Sequence, residues 1–282
     1  MGRFKEIFSR KPEGMSRTVK WFFGLPLAFV LYFCIALIIP SFGTGNNSSL
    51  LRMATLEIVL IFCVLLVVKK FLNFDLKHFF TSDNKFSRKR FFVSFLIISV
   101  AEIITNLLLY LIFREEFEFT FIKNGFLSNV SCTLILILAA ATAEELIFRS
   151  YIAFFFHDEP VTSLKDICSY SFVSGLLFAF FHFRNPEVSK GDAFWTMFFY
   201  FLFGTAMMFF FLSGNGIEIP LGLHIGNNLF SSLIVSYDNS VIRPNSVFIH
   251  HHNADVFLII QTVLCLIICA VVLKKLNMIK EI

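Results

Sequence analysis

Long apolar runs alternate along this chain with short polar connections. A helix needs about 20 predominantly apolar residues to cross the hydrocarbon of a bilayer. On that criterion the sequence predicts eight spans: Trp21–Ile39, Met53–Val68, Phe91–Phe113, Phe126–Phe148 with a continuation toward His157, Ile167–Phe183, Ala193–Leu212, Leu221–Tyr237 and Ala254–Leu273. The expected fold is therefore all-α, a polytopic membrane bundle of about eight transmembrane helices around a buried polar site. The stretch from Trp21 to Ile39 is too long for a signal-peptide core and no A-x-A cleavage pattern follows it, so it reads as a retained first span.

The distribution of cations orients the bundle. With the N-terminus inside, the inner segments hold 18 Lys and Arg and the outer loops 6, which places both termini in the cytoplasm. The inner segment from Lys69 to Arg90 mixes Phe and Leu with seven cations and is expected to lie along the membrane surface as an amphipathic helix, a solvated loop being the alternative. The whole chain, 1–282, reads as one membrane domain, with a basic cytoplasmic segment at 1–20.

Composition agrees with that picture. Of 282 residues, 57% are hydrophobic, only 16% are charged and 41 are Phe, which excludes an ordinary soluble domain. The net charge of +4 suits contact with the lipid bilayer, and no nucleic-acid motif is present. Cys34, Cys63, Cys132, Cys168, Cys265 and Cys269 all fall in apolar segments without a C-x-x-C pair and read as small hydrophobes.

Charges inside an apolar segment are costly, so they mark function or a tightly paired structural site. The stretch "AAATAEELIFRS" carries Glu144, Glu145 and Arg149. On a helix Glu145 and Arg149 are four apart and can pair, whereas Glu144 lies about 100° round the axis and is left to face something else. Two further segments offer partners. Phe178 and His182 stand at i and i+4 in "LLFAFFHFRNP"; His224 and Asn228 do so in "PLGLHIGNNLFSS", with Asn227 nearby and Gly222 and Gly226 allowing close helix approach. A carboxylate, two imidazoles and an amide on three helices can take a proton from water and stabilise an oxyanion, the needs of amide hydrolysis.

The patterns E-E-x-x-x-R, F-x-x-x-H and H-x-x-x-N, in that order between Phe126 and Tyr237, resemble the CPBP family. That family includes CAAX prenyl endopeptidases of the Ras-converting type and bacterial Abi or bacteriocin-immunity proteins. The resemblance implies an intramembrane endopeptidase with its catalytic core at 126–237, in which Glu144 and His182 activate water, His224 and Asn228 hold the oxyanion, and Glu145 with Arg149 is the supporting pair. Glu144, His182 and His224 would also match a zinc site with an open position, but no H-E-x-x-H motif supplies them, and metal-free and metal-dependent mechanisms both remain open. The implied partner is a membrane-associated peptide or protein, prenylated or of pheromone or bacteriocin type, in a bacterial inner membrane. A non-enzymatic immunity or scaffold protein and a proton-coupled transporter are the competing readings.

The shared site carries a geometric condition. His182 lies about 25 Å along its span at 1.5 Å per residue, whereas His224 comes soon after Pro220, so Ser213–Pro220 must dip into the bundle. Glu57 and Glu102 are expected to line the cavity or pair locally, His250 to His252 to form polar outer surface, Glu115, Glu116 and Glu118 to form a solvated loop, and Asn106 to bond between helices.

Overall fold

The computed structural model describes residues 16–40, 45–81, 85–156, 163–242, 246–251 and 256–279. The expected N-terminal basic segment and His252 lie largely or wholly outside them. The helices in chain order are α1 (Arg17–Ala36), α2 (Asn46–Lys70), α3 (Leu76–Phe80), α4 (Arg88–Ile112) and α5 (Phe126–Glu145). After a π-helical turn at Leu146–Tyr151 come α6 (Ile152–Phe156), α7 (Leu164–His182), α8 (Pro186–Lys190), α9 (Ala193–Gly214), α10 (Glu218–Leu233) and α11 (Val256–Lys275). Three short strands, β1 (Phe117–Phe119), β2 (Val235–Tyr237) and β3 (Phe248–His250), form one sheet in the order β1-β3-β2.

Among the described residues seven helices are long and apolar enough to cross a membrane, and α5, the π turn and α6 count as one continuous rod, Phe126–Phe156. The chain is thus an all-α, multi-pass integral membrane protein. The eighth expected span is the 16-residue α10, too short to meet the length criterion and buried along most of its course. It nevertheless runs from one end of the bundle to the other. At its start Ile217 N–H donates to the Phe80 carbonyl (2.9 Å) and Ser87 N–H to the Glu218 carboxylate (3.0 Å); beyond its end β2 pairs with β3. Because β3 also pairs with β1, which follows α4, helices α4 and α10 run parallel between the same two ends.

Apolar side chains gain little by leaving lipid for a helix interface, so close packing of small residues has to hold such a bundle together. A methyl group on Gly222 would strike the Phe91 carbonyl oxygen, and one on Gly226 would strike Ile98, so both glycines let α10 lie directly on α4. Gly204 of α9 lies equally close to Phe178 and Gly175 of α7. Between α2 and α5, Ala54 and Leu50 interlock with Cys132 and Leu136. At the end of the bundle where α1 begins, Trp21 meets Tyr151, Phe74 and Phe154, and the Tyr151 hydroxyl donates to the Trp21 carbonyl.

The segment from Ser213 to Pro220 is buried, against the residues that lead into α4. Ser213, Ile217, Glu218 and Ile219 are each 1% exposed or less. Asn215 caps α9 in the left-handed region (φ 60°), the Arg90 guanidinium donates to the Gly214 carbonyl (2.8 Å), and Thr81 bridges to Gly216. The stretch after α2 that reads as a surface helix is only partly one. α3 is a five-residue helix capped by Asp75, with Phe79 fully buried against Phe74 and Phe154, and the Phe80 carbonyl and Thr81 at its end meet Ile217 and Gly216 of the α9–α10 turn. All six cysteines are free, four of them buried.

Candidate active site

Glu144 and Glu145 close α5, and the helix then widens into the π turn. Such turns disturb the regular backbone ladder and recur at functional positions. Here Ser174 of α7 donates its hydroxyl to the Phe148 carbonyl within the turn (2.8 Å), tying α7 to it. Glu145 and Arg149 form the expected pair, Nη2 to Oε1 at 3.1 Å, with both side chains fully buried. The same Glu145 oxygen also faces His224 Nδ1 at 2.8 Å, which helical spacing within α5 could not reveal. Arg149, Glu145 and His224 therefore form one buried chain. The guanidinium also lies over the Phe178 ring, 4.8 Å from its centroid, a cation–π contact in a water-poor interior.

Glu144 points elsewhere, as the helical geometry requires. Its side chain is 28% exposed, and its two oxygens face His182 Nε2 at 3.8 Å and His224 Nε2 at 3.5 Å. The other nitrogen of each imidazole is already committed. His182 Nδ1 lies 2.7 Å from the Phe178 carbonyl, which can only accept, so Nδ1 carries the proton and Nε2 presents its lone pair when the ring is neutral. His224 Nδ1 is likewise fixed on the Glu145 carboxylate, so two imidazoles anchored through Nδ1 turn their Nε2 edges toward one carboxylate.

Phe178 explains the spacing of the second motif. It is 2% exposed, its ring contacts the His182 ring at 4.2 Å between centroids and the Phe148 ring at 5.2 Å, and it receives Arg149 on its face. Asn228 lies one turn beyond His224 on α10, half-buried, with its Oδ1 accepting from Asn227 Nδ2 (3.2 Å) and its own amide N–H groups making no hydrogen bond among the described residues. Among the described residues it has no hydrogen bond to Glu144 or His182.

Of the other acidic candidates, Glu57 of α2 lies within electrostatic range of Glu144, and Tyr32 of α1 lies within electrostatic range of Glu57. Glu102 is remote from it and pairs locally, accepting from Asn106 (3.1 Å) and Gln261 (3.2 Å). Asn106 thus bonds within its own helix, and Gln261 makes the interhelical link. The supposed solvated loop is also ordered. Glu116 pairs with His250 (3.2 Å), and His251 lies between Glu118 (2.9 Å) and Asp238 (3.0 Å). Two imidazoles and a carboxylate are zinc-type donors, but among the described residues no three His, Cys, Asp or Glu side chains gather closely enough to hold an ion.

Residues 126–230 match the family model of the type II CAAX prenyl endopeptidases, Rce1-like. The similarity is confined to this segment, which contains every member of the three motifs, from Glu144 to Asn228. One curated relative, an uncharacterized protein YyaK of Bacillus subtilis (strain 168), is 28% identical over 179 residues, which is 63% of this chain and 58% of that protein. The chain therefore aligns over less than two thirds of that relative's length. No solved structure matches the chain.

Several residues that hold these helices in place carry little signal in the sequence. Gly175 and Gly204 let α7 meet α9, and Arg90, Ser87 and Glu218 latch the α9–α10 turn to α4. A buried acidic residue in an unremarkable loop, Glu187, is the third such feature. Only the glycines carried a usable signal, as small residues in apolar runs.

Proposed function

We propose that the protein is an intramembrane endopeptidase that hydrolyses a peptide bond of a membrane-associated substrate. The observation that supports this most strongly is the convergence of two Nδ1-anchored imidazoles on the partly exposed Glu144. At 3.8 Å the His182 Nε2 to Glu144 separation is too long for a hydrogen bond and leaves two polar edges that can both bond to one water molecule lying beside the pair. In this reading that water gives a proton to Glu144 or His182 while its oxygen attacks the scissile carbonyl carbon. The carbonyl electron pair moves onto oxygen, which accepts from Asn228 Nδ2–H and from His224 Nε2 when that nitrogen is protonated. The Glu145 carboxylate at Nδ1 is then the counter-charge of the imidazolium, and Arg149 balances Glu145. Collapse breaks the C–N bond as the proton first taken from water passes to the departing amine.

The Rce1-like match favours a substrate with a prenylated C-terminal Cys-aliphatic-aliphatic-X sequence, with pheromone or bacteriocin precursors as the alternative class. The excess of Lys and Arg on inner segments supports cytoplasmic termini. A non-enzymatic scaffold would leave unexplained why Glu144 is 28% exposed while Glu145 beside it is fully buried. The test is to incubate purified protein in lipid nanodiscs with matched peptides, farnesylated and unmodified, and to identify products by mass spectrometry. Cleavage that requires Glu144 supports the proposal. Cleavage of neither peptide class, or equal cleavage by Glu144→Ala, refutes it.

A further inference from the structure

His182 is the last residue of α7, where the backbone lacks part of its hydrogen bonding and frays most readily. Orientation of its ring therefore needs support from outside the helix. Two rings supply it: Phe178 on one side at 4.2 Å and Tyr200 of α9 at 4.4 Å between centroids. Tyr200 is itself fixed. Its hydroxyl donates to one Glu187 oxygen (3.2 Å) and accepts from Asn185 Nδ2 (3.0 Å).

Glu187 belongs to α8, and its carboxylate is almost wholly buried. A carboxylate removed from water is costly unless its oxygens are well bonded. Among the described residues no Lys, Arg or His pairs with it; besides Tyr200, the Tyr237 hydroxyl (3.1 Å) and the Val241 N–H (2.9 Å) donate to its other oxygen. Tyr237 and Val241 follow α10, the helix that carries His224. One acidic side chain thus joins the segment after His182, the helix of Tyr200 and the far end of the His224 helix.

We infer that Glu187 is a positioning residue, which through Tyr200 holds the His182 ring and through the segment after α10 sets its spacing from His224. Its consequence for turnover rests on the endopeptidase reading; the geometric part does not. Two measurements on the full-length protein in nanodiscs separate them. In histidine-labelled protein, the His182 ring protons, assigned by their loss in His182→Ala, are shifted by the flanking Phe178 and Tyr200 rings. Glu187→Gln and Tyr200→Leu should each move those resonances. On a farnesylated, internally quenched peptide the same variants should lower kcat by about 10- to 100-fold with KM changed by less than about twofold, since misplacing a catalytic group harms the transition state more than binding. Tyr200→Phe, which keeps the ring, should fall between Tyr200→Leu and the native protein.

Unchanged His182 resonances together with an unchanged kcat in Glu187→Gln would overturn the inference, as would a rise in KM alone. If Glu187→Gln does not fold, Tyr200→Leu, which removes the ring and its hydroxyl together, and Tyr237→Phe, which removes one donor to Glu187, decide on the same criteria. If the native protein cleaves no peptide, or Glu144→Ala cleaves equally well, the endopeptidase reading fails, while the resonances still decide whether Glu187 holds His182.

Discussion

Replacing Arg149 with Met should destabilise the fold more than any other single exchange at the site. The guanidinium is fully buried, 3.1 Å from the equally buried Glu145 and stacked on Phe178. Met restores most of the volume but leaves Glu145 with His224 as its remaining partner at hydrogen-bonding distance among the described residues. Breaking a buried pair from one side typically costs about 3–5 kcal/mol, because the surviving charge stays desolvated. At roughly 2–3 °C per kcal/mol for a chain of this size, the expected fall in Tm is about 6–15 °C. The assay can use the protein's own thiols in a background with Cys34 and Cys168 replaced by Ser: Cys63, Cys132, Cys265 and Cys269 are buried and become reactive to a fluorogenic maleimide on unfolding. The double variant Glu145→Gln/Arg149→Met removes both charges and should recover much of the loss in Tm while remaining inactive, because His224 has lost its anionic partner. A Tm within about 2 °C of native for Arg149→Met, or a double variant no more stable than the single one, would refute the reasoning about this pair.

Further expectations follow from other parts of the fold. His251 meets carboxylates through both ring nitrogens, which requires the doubly protonated ring, and the Asp238 and Glu118 contacts raise its pKa above the ordinary 6.5. The clasp it forms between β1 and the segment after β2 should be intact below pH 6.5 and loosen as pH rises through the raised value, seen as faster amide exchange at Glu118 and His251. His251→Gln should abolish that pH dependence. Gly222→Val forces side-chain atoms into the Phe91 backbone, so α10 must move away from α4, and cleavage should fall by about 100-fold or more through displacement of His224. Glu102→Gln, remote from Glu144 and able to keep its amide partners, should leave cleavage within about twofold of native.

The spans were readable because the bilayer imposes a length and an apolar composition on each of them, and the structure moves most ends by only a few residues. α10 departs from that rule for a reason. Its start is buried beneath the residues that lead into α4, its 16 residues reach the sheet, and helix contacts cover its polar groups. Glu145 and Arg149 were legible as an i, i+4 pair, and the separate direction of Glu144 followed from the same geometry. The link from Glu145 to His224 was not, because those residues are 79 positions apart and only packing of α10 on α5 brings them together. Glu187 gave no signal at all. It lies in "FRNPEVSK", which has the composition of an exposed loop, and its burial depends on donors supplied from α9 and from beyond α10.

The central claim is that Glu144 activates water for peptide hydrolysis, and single-turnover cleavage of a farnesylated peptide in H2(18)O tests it most directly. The native protein should place one 18O atom in the new carboxylate, and Glu144→Gln, which keeps the size but loses the base, should slow that step by about 100- to 10,000-fold with its Tm nearly unchanged. Product formed by Glu144→Gln at the native rate would contradict it, as would native product without 18O.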